Sequence, residues 1–272
     1  MPLQFNLYSA GVLAPGIGSL SELLALRRTG ESSAIAVGLP SPAALPANER
    51  RRASQVVRLT LACAEQALQT SPFPVDALRT VFASDEGTGE ICQQMLETLA
   101  TTRQVSPLLF HNSVHNAPSG YFSIAYQNRQ SATSVSLGQE SFAGGLLCAV
   151  GEALTSGQPV LFVAYDPAMT EPLRSMLPVE QPTATAWIIA SGHDRKLGQS
   201  PLATFELGLH PSARRVDRAP PTWLPAAWAA NSSAQGLVAL ALVDLTQEDS
   251  ACEFRLGAQT LRLERLNGVP AC

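Results

Sequence analysis

Charge is scarce in this chain. Only 15% of its 272 residues are charged and the net charge is −4, so a phosphate-neutralising surface is not expected and nucleic-acid binding drops out as a function class. Long apolar runs are missing too: none reaches 18 residues, so no membrane span is expected. The opening MPLQFNLYSAGVLAPG has no basic segment ahead of its apolar part; a secretory leader is not expected, and the cytoplasm is the default compartment. Cysteine is sparse and never occurs as CxxC: Cys63, Cys92, Cys148, Cys252 and Cys272 are irregularly spaced. That pattern argues against a disulfide framework and a zinc site, and leaves buried structural thiols. Histidine is rarer still: His111, His115, His193 and His210. His111 and His115 have the spacing that puts two rings on one helix face, but HNSVH lacks the central Glu of HExxH and a third ligand nearby, so no metal is expected. The segment Asp85-Glu86-Gly87-Thr88-Gly89 is Gly-rich, yet its carboxylates oppose a phosphate, and no cofactor is expected.

What is present is an ordinary globular composition, 46% hydrophobic, enough for a sizeable core in one large domain or two small ones. Leu3, Phe5 and Leu7 alternate with polar residues and read as a strand, turned by AGVLAPG. Ser33–Leu39 reads as a short strand. Arg51–Gln69 reads as a helix, with Val57, Leu61, Ala64 and Leu68 on one face. Thr80–Ser84 reads as a buried strand, followed by a helix carrying Ile91, Met95 and Leu99 on one face. Asn112–Tyr126 reads as a helix bent before Pro118. Pro159–Ala164 and Thr183–Ala190 are uninterrupted apolar strands. Strands alternating with helices give an α/β class with a largely buried sheet. The last stretch differs: Leu202–Leu209, Gly236–Leu245 and Cys252–Leu263 read as strands, and no second βαβαβ block follows. The chain thus divides into a lobe over residues 1–195 and a divergent C-terminal extension over 196–272 that packs on the same domain.

Ser131–Leu137 reads as a strand, Gly138-Gln139-Glu140-Ser141 as a turn, and Phe142–Leu154 as a helix. Strand, tight turn and helix N-terminus together make a nucleophile elbow, which lifts the turn residue above the sheet and aims helix N–H groups at an oxyanion. Acyl-transfer enzymes put Ser or Cys there. Here the residue is Gln139, whose neutral amide donates and accepts hydrogen bonds but forms no acyl-enzyme. Ser141 lies past the tip in GQESFAG, which is not GxSxG, and suits capping or packing.

The block Ser106–Leu154 resembles the N-terminal half of β-ketoacyl synthases. Ser106-Pro107, Asn116 in SVHN and Gly120-Tyr121 match that family's pattern, and Gly138-Gln139 fall on its Ala-Cys dipeptide. A weaker resemblance runs from about Leu3 to Ala190 and then fades. It implies a single thiolase-like α/β lobe, the ketosynthase N-terminal half, with a shortened C-terminal region. A complete synthase resembles two copies of such a half and keeps its catalytic histidines in the second; none of the four histidines here fits those motifs.

Gln at this turn resembles the chain-length factors of type II polyketide systems. The resemblance implies a non-catalytic subunit of a β-ketoacyl synthase (acyltransferase) complex, in a heterodimer or higher heteromer with a ketosynthase, meeting the acyl carrier protein through that complex, in polyketide or fatty-acid-like synthesis of the aryl-polyene kind. Residues just after Ser106-Pro107 would reach across the interface and line the partner's tunnel, which nominates Leu108, Leu109 and Phe110; the same residues also read as plain core. Glu86 and Met95 would lie near the tunnel's end. Asn116, Gln139 and Val135 of the elbow strand would lie at the interface. Two other classes stay open: a malonyl-thioester decarboxylase using the Gln139 amide to hold a developing enolate, and a standalone acyl-carrier-protein or acyl-binding module.

Overall fold

The computed structural model describes residues 2–31, 42–191, 199–211, 220–246 and 250–266; the Ser33–Leu39 strand expected from sequence lies outside them. Eight strands form one sheet: β1 (Leu3–Leu13), β2 (Arg79–Ala83), β3 (Ala132–Val135), β4 (Val160–Asp166), β5 (Thr183–Ser191), β6 (Ala203–Pro211), β7 (Ala251–Leu256) and β8 (Gln259–Arg265), in the order β3-β2-β4-β5-β1-β6-β8-β7. The β3-β2-β4 pairs are parallel and the others antiparallel.

Period-two alternation assigns the two faces. Phe82, Leu161, Val163, Ala186 and Ile188 meet α3 (Gln55–Gln69) and α6 (Ala117–Tyr126). Val81, Phe162, Trp187 and Phe205 meet α1 (Leu20–Thr29), α7 (Ser141–Ser156) and α8 (Ala234–Ala241) on the opposite face. Burial on both faces is why β2, β4 and β5 read as continuous apolar runs. At its far end the sheet curls back over α7: Phe254 of β7 packs edge-on against Phe142 at 5.1 Å, and Arg255 pairs with Glu140 at 3.0 Å.

The remaining helices are α2 (Ala47–Arg52), α4 (Gly89–Thr102) and α5 (Pro107–Asn112). Several sequence expectations change in detail. β1 does not turn at Ala10 but stays extended to Leu13, because Ala10–Leu13 pair with Ala184–Trp187 across a register slip between Leu7 and Ser9. The helix read over Arg51–Gln69 is two, split where extended Ser54 caps α3 by accepting the Val57 N–H at 3.4 Å. The helix read over Asn112–Tyr126 is likewise broken: Asn112 ends α5, and Pro118 sits in the first turn of α6, where its missing N–H costs nothing. The strand read over Gly236–Leu245 is the helix α8; a short apolar run without alternation fits either element. Cys252–Leu263 is a hairpin, β7 and β8, turning at Gly257.

Candidate functional site

The elbow forms as its sequence requires. β3 runs parallel to β2 with Val135 opposite Ala83. The chain then reverses through Gly138, whose φ of +60° suits glycine. Ser141 stitches the turn: its Oγ donates to the Gly138 carbonyl at 2.7 Å and accepts the Leu137 N–H at 2.9 Å. Its role is therefore structural.

Gln139 sits at the tip, exposed, but its side chain is not free to turn. Nε2 donates to Asp85 Oδ2 at 3.2 Å and to the Ala230 carbonyl at 2.8 Å. Both neighbours are acceptors, so the nitrogen must face them, and both amide hydrogens are consumed. Only Oε1, an acceptor, is left. The Gln139 carbonyl accepts Gln235 Nε2 at 3.0 Å. The Phe142 N–H, a first-turn donor of α7, goes to Ser232 Oγ at 3.1 Å. Glu140 Oε2 accepts the Gly257 N–H at 2.6 Å. Ala230, Ser232, Gln235 and Gly257 thus close around the elbow, and Ser232 takes up a first-turn N–H of α7.

Two carboxylates stand behind the tip. Burial pushes Asp85 up, against the hydrogen bond from Gln139. Burial also pushes the enclosed Asp166 up to about 6, against hydrogen bonds from the Asp85 N–H, the Ser233 N–H and the Ser84 hydroxyl.

The other sequence candidates make none of these contacts with Gln139. Leu108, Leu109 and Phe110 are on α5; Phe110 and Leu108 are surface residues, 63% and 43% exposed, and Leu109 is half-buried. Asn116 is exposed just before α6, and Val135 is half-buried on β3. Glu86 follows Asp85 in the loop before α4, and Met95 is half-buried on α4. Leu96 and Leu99 of α4, Val114, Ile124 of α6 and Leu137 are also exposed. His111 and His115 do not share a helix: His111 is on α5, edge-on to Tyr121 at 5.8 Å, and His115 lies beyond the helix end with Nε2 3.2 Å from the Val135 carbonyl oxygen. Among the described residues, no group of three or more His, Cys, Asp or Glu could hold a metal, and no helix is long and apolar enough to cross a membrane. Cys63 and Cys252 are buried, whereas Cys92 and Cys148 are only half-buried.

Sequence reasoning missed Asp85, Asp166, Ala230, Ser232 and Gln235. Two signals were available: a carboxylate ending the apolar strand PVLFVAYD, and the Asn231-Ser232-Ser233 run directly before an apolar segment.

The family model for the β-ketoacyl synthase N-terminal domain matches residues 28–238. Among solved structures, the chain is similar to the ketosynthase ApeO in complex with its chain length factor ApeC from Xenorhabdus doucetiae, at 22% identity over 97% of this chain and 100% of that one, with a TM-score of 0.71. It is similar to the ishigamide ketosynthase/chain length factor, at 13% identity over 97% and 100% with a TM-score of 0.73. It is also similar to a β-ketoacyl synthase from Burkholderia phymatum, at 11% identity over 98% and 100% with a TM-score of 0.66. No curated protein matches the sequence. The lobe therefore has the thiolase-like α/β fold of ketosynthases over essentially its whole length, and the chain belongs to the β-ketoacyl synthase N-terminal domain family.

Proposed function

We propose that this chain is a catalytically silent, chain-length-factor-like subunit that pairs with a ketosynthase and shapes its acyl tunnel. The observation that carries this reading is Gln139 at the nucleophile position with both amide hydrogens spent and the neighbouring Phe142 N–H capped. A site so arranged has no nucleophile, and those donors are not available to an oxyanion. The solved structures of ketosynthases with chain length factors, to which the fold is similar, support it. So does β3, which among the described residues is an edge strand paired with β2 alone and followed by exposed Leu137; a paired subunit would cover such an edge. In this reading residues 196–272 close the elbow from behind and are not a second catalytic half. The pathway we propose is polyketide or fatty-acid-like, of the aryl-polyene kind, in the cytoplasm, with the carrier protein meeting the complex.

The decarboxylase reading loses support, since an amide holding an enolate needs a free N–H and Gln139 has none to spare. A standalone acyl-binding module is favoured by one observation: a half-open cleft of about 490 Å³ lined by Trp223, Leu224, Trp228, Val238 and Phe254, a size that suits a small ligand. Co-expression with a ketosynthase followed by gel filtration separates the two. Co-elution supports the subunit. A soluble monomer that binds acyl thioesters by itself supports the module and overturns the subunit.

A further inference from the structure

Asp166 is the last residue of β4 and is fully enclosed. Its carboxylate accepts from two segments far apart in sequence. Oδ1 takes the Ser84 hydroxyl at 2.9 Å and the Asp85 N–H at 2.8 Å, and Oδ2 takes the Ser233 N–H at 2.8 Å. These are the segments that hold the Gln139 amide from its two sides, through the Asp85 side chain and the Ala230 carbonyl. We propose that Asp166 is the positioning residue of the elbow: it fixes the gap between the 84–85 turn and the 230–233 turn, and with it the orientation of the Gln139 amide.

An ionised carboxylate suits this task because both oxygens accept at once. A proton on either oxygen, or a carboxamide nitrogen in its place, sets a donor against an N–H or O–H that already points inward, and one side of the grip is released. The titratable groups facing Asp166 are Asp85, whose charge opposes its ionisation, and Tyr165 on β4 itself, whose phenol is pushed up by burial and by the Asp166 charge and donates to the His115 carbonyl at 3.5 Å. Burial outweighs the donors, so the release falls near pH 6. The role holds whatever partner faces the elbow.

The readout is the side-chain amide signal of Gln139 in ¹⁵N–¹H spectra of the full chain, assigned by its loss in Gln139→Met and followed between about pH 4.5 and about 7.5. The expected signal moves with a midpoint near pH 6. That midpoint disappears in Asp166→Asn, persists in Asp85→Asn, and moves upward in Ser84→Ala, which removes one donor to the carboxylate and leaves both turns in place. A signal that does not titrate, one that titrates unchanged in Asp166→Asn, or one whose transition is lost in Asp85→Asn overturns the proposal. Should Asp166→Asn not fold, an unmoved midpoint in Ser84→Ala overturns it alone.

Discussion

The backbone N–H of Phe142 is capped by the hydroxyl of Ser232, 3.1 Å away and 90 positions later in the chain. Helix N-termini bind anions because their first N–H groups are unpaired. In α7 a serine from the C-terminal extension has already paired this one. Glutamine at the tip and a filled donor position are separate features, and both are present.

Restoring the nucleophile alone should therefore fail. Gln139→Cys, incubated with malonyl- or acetyl-loaded carrier protein, is expected to show no turnover, because the Phe142 N–H stays capped and no histidine of the chain sits in a synthase-like histidine motif. Intact-mass measurement checks this. A covalent acyl adduct on the wild-type chain, or product from the single variant, would contradict it.

Stability should depend on pH through Asp166. Its folded pKa, about 6, lies above the unfolded value of 3.8, so the folded state holds the proton more tightly. Between those values stability falls as pH rises, and the ionised carboxylate is the costly form above them. Asp166→Asn lacks this dependence. Lowering the pH from about 7.5 to about 5 should favour wild type over variant by about 1 kcal/mol. Urea midpoints at the two pH values measure it, and a constant difference would count against the buried acid.

The edge of β3 can be tested residue by residue. Thr80 donates to the Ser131 carbonyl and Ser84 to the Val135 carbonyl. A residue in a parallel ladder turns its N–H and C=O to the same side, so Val135 faces β2 and Ser134 faces the open edge. Ser134→Pro should leave the fold intact and abolish co-purification with a ketosynthase. Val135→Pro should instead destabilise the chain itself, by about 1–3 kcal/mol for the lost ladder bond and its orphaned partner. Intact co-purification of a folded Ser134→Pro variant would move the interface elsewhere.

Product length tests the proposed tunnel role of α5. Phe110 and Leu108 project from α5 with little covering them, as residues that end a partner's cavity would. Phe110→Ala or Leu109→Ala should lengthen the products of the reconstituted pair, and Leu109→Trp should shorten them. Each methylene of depth corresponds to about 0.8 kcal/mol of burial. Unchanged product distributions from dimeric variants would leave the proposed role as scaffolding only.

Gly145 tests the packing beneath the elbow. A Cβ there would lie 2.5 Å from Ala83 Cβ and 2.8 Å from Phe162 Cε2. Gly145→Ala should therefore cost about 1–3 kcal/mol through overpacking, despite alanine's better helix propensity. Thermal unfolding of the variant measures it.

The sheet was largely legible because its buried strands are short apolar runs between turn residues. β2, β4 and β5 fall within a residue or two of their expected spans. The elbow was legible as well, since strand, glycine turn and apolar helix are contiguous. What eluded the sequence was of another kind. α8 is a short run, AQGLVALA, with no periodicity to separate helix from strand. The break between α5 and α6 follows Asn112, whose Nδ2 donates to the Arg52 carbonyl at 3.2 Å, a tertiary contact with no local signature. Asp85 meets Gln139 only once β2 and β3 have paired, and Ala230, Ser232 and Gln235 reach the elbow only once the later segment has folded over it.

That last arrangement bears on the order of assembly. The contacts that complete the elbow span 90, 91, 96 and 117 residues, among the slowest kind to form because their loops must close first. A ribosome delivers β3 and α7 well before α8 and the β7–β8 hairpin, so the nascent lobe spends an interval with its elbow open and an unpaired strand edge beside it. Such intermediates aggregate readily. Synthesis close to a partner able to sheathe that edge would shorten the exposed interval, giving co-expression a kinetic as well as an equilibrium advantage.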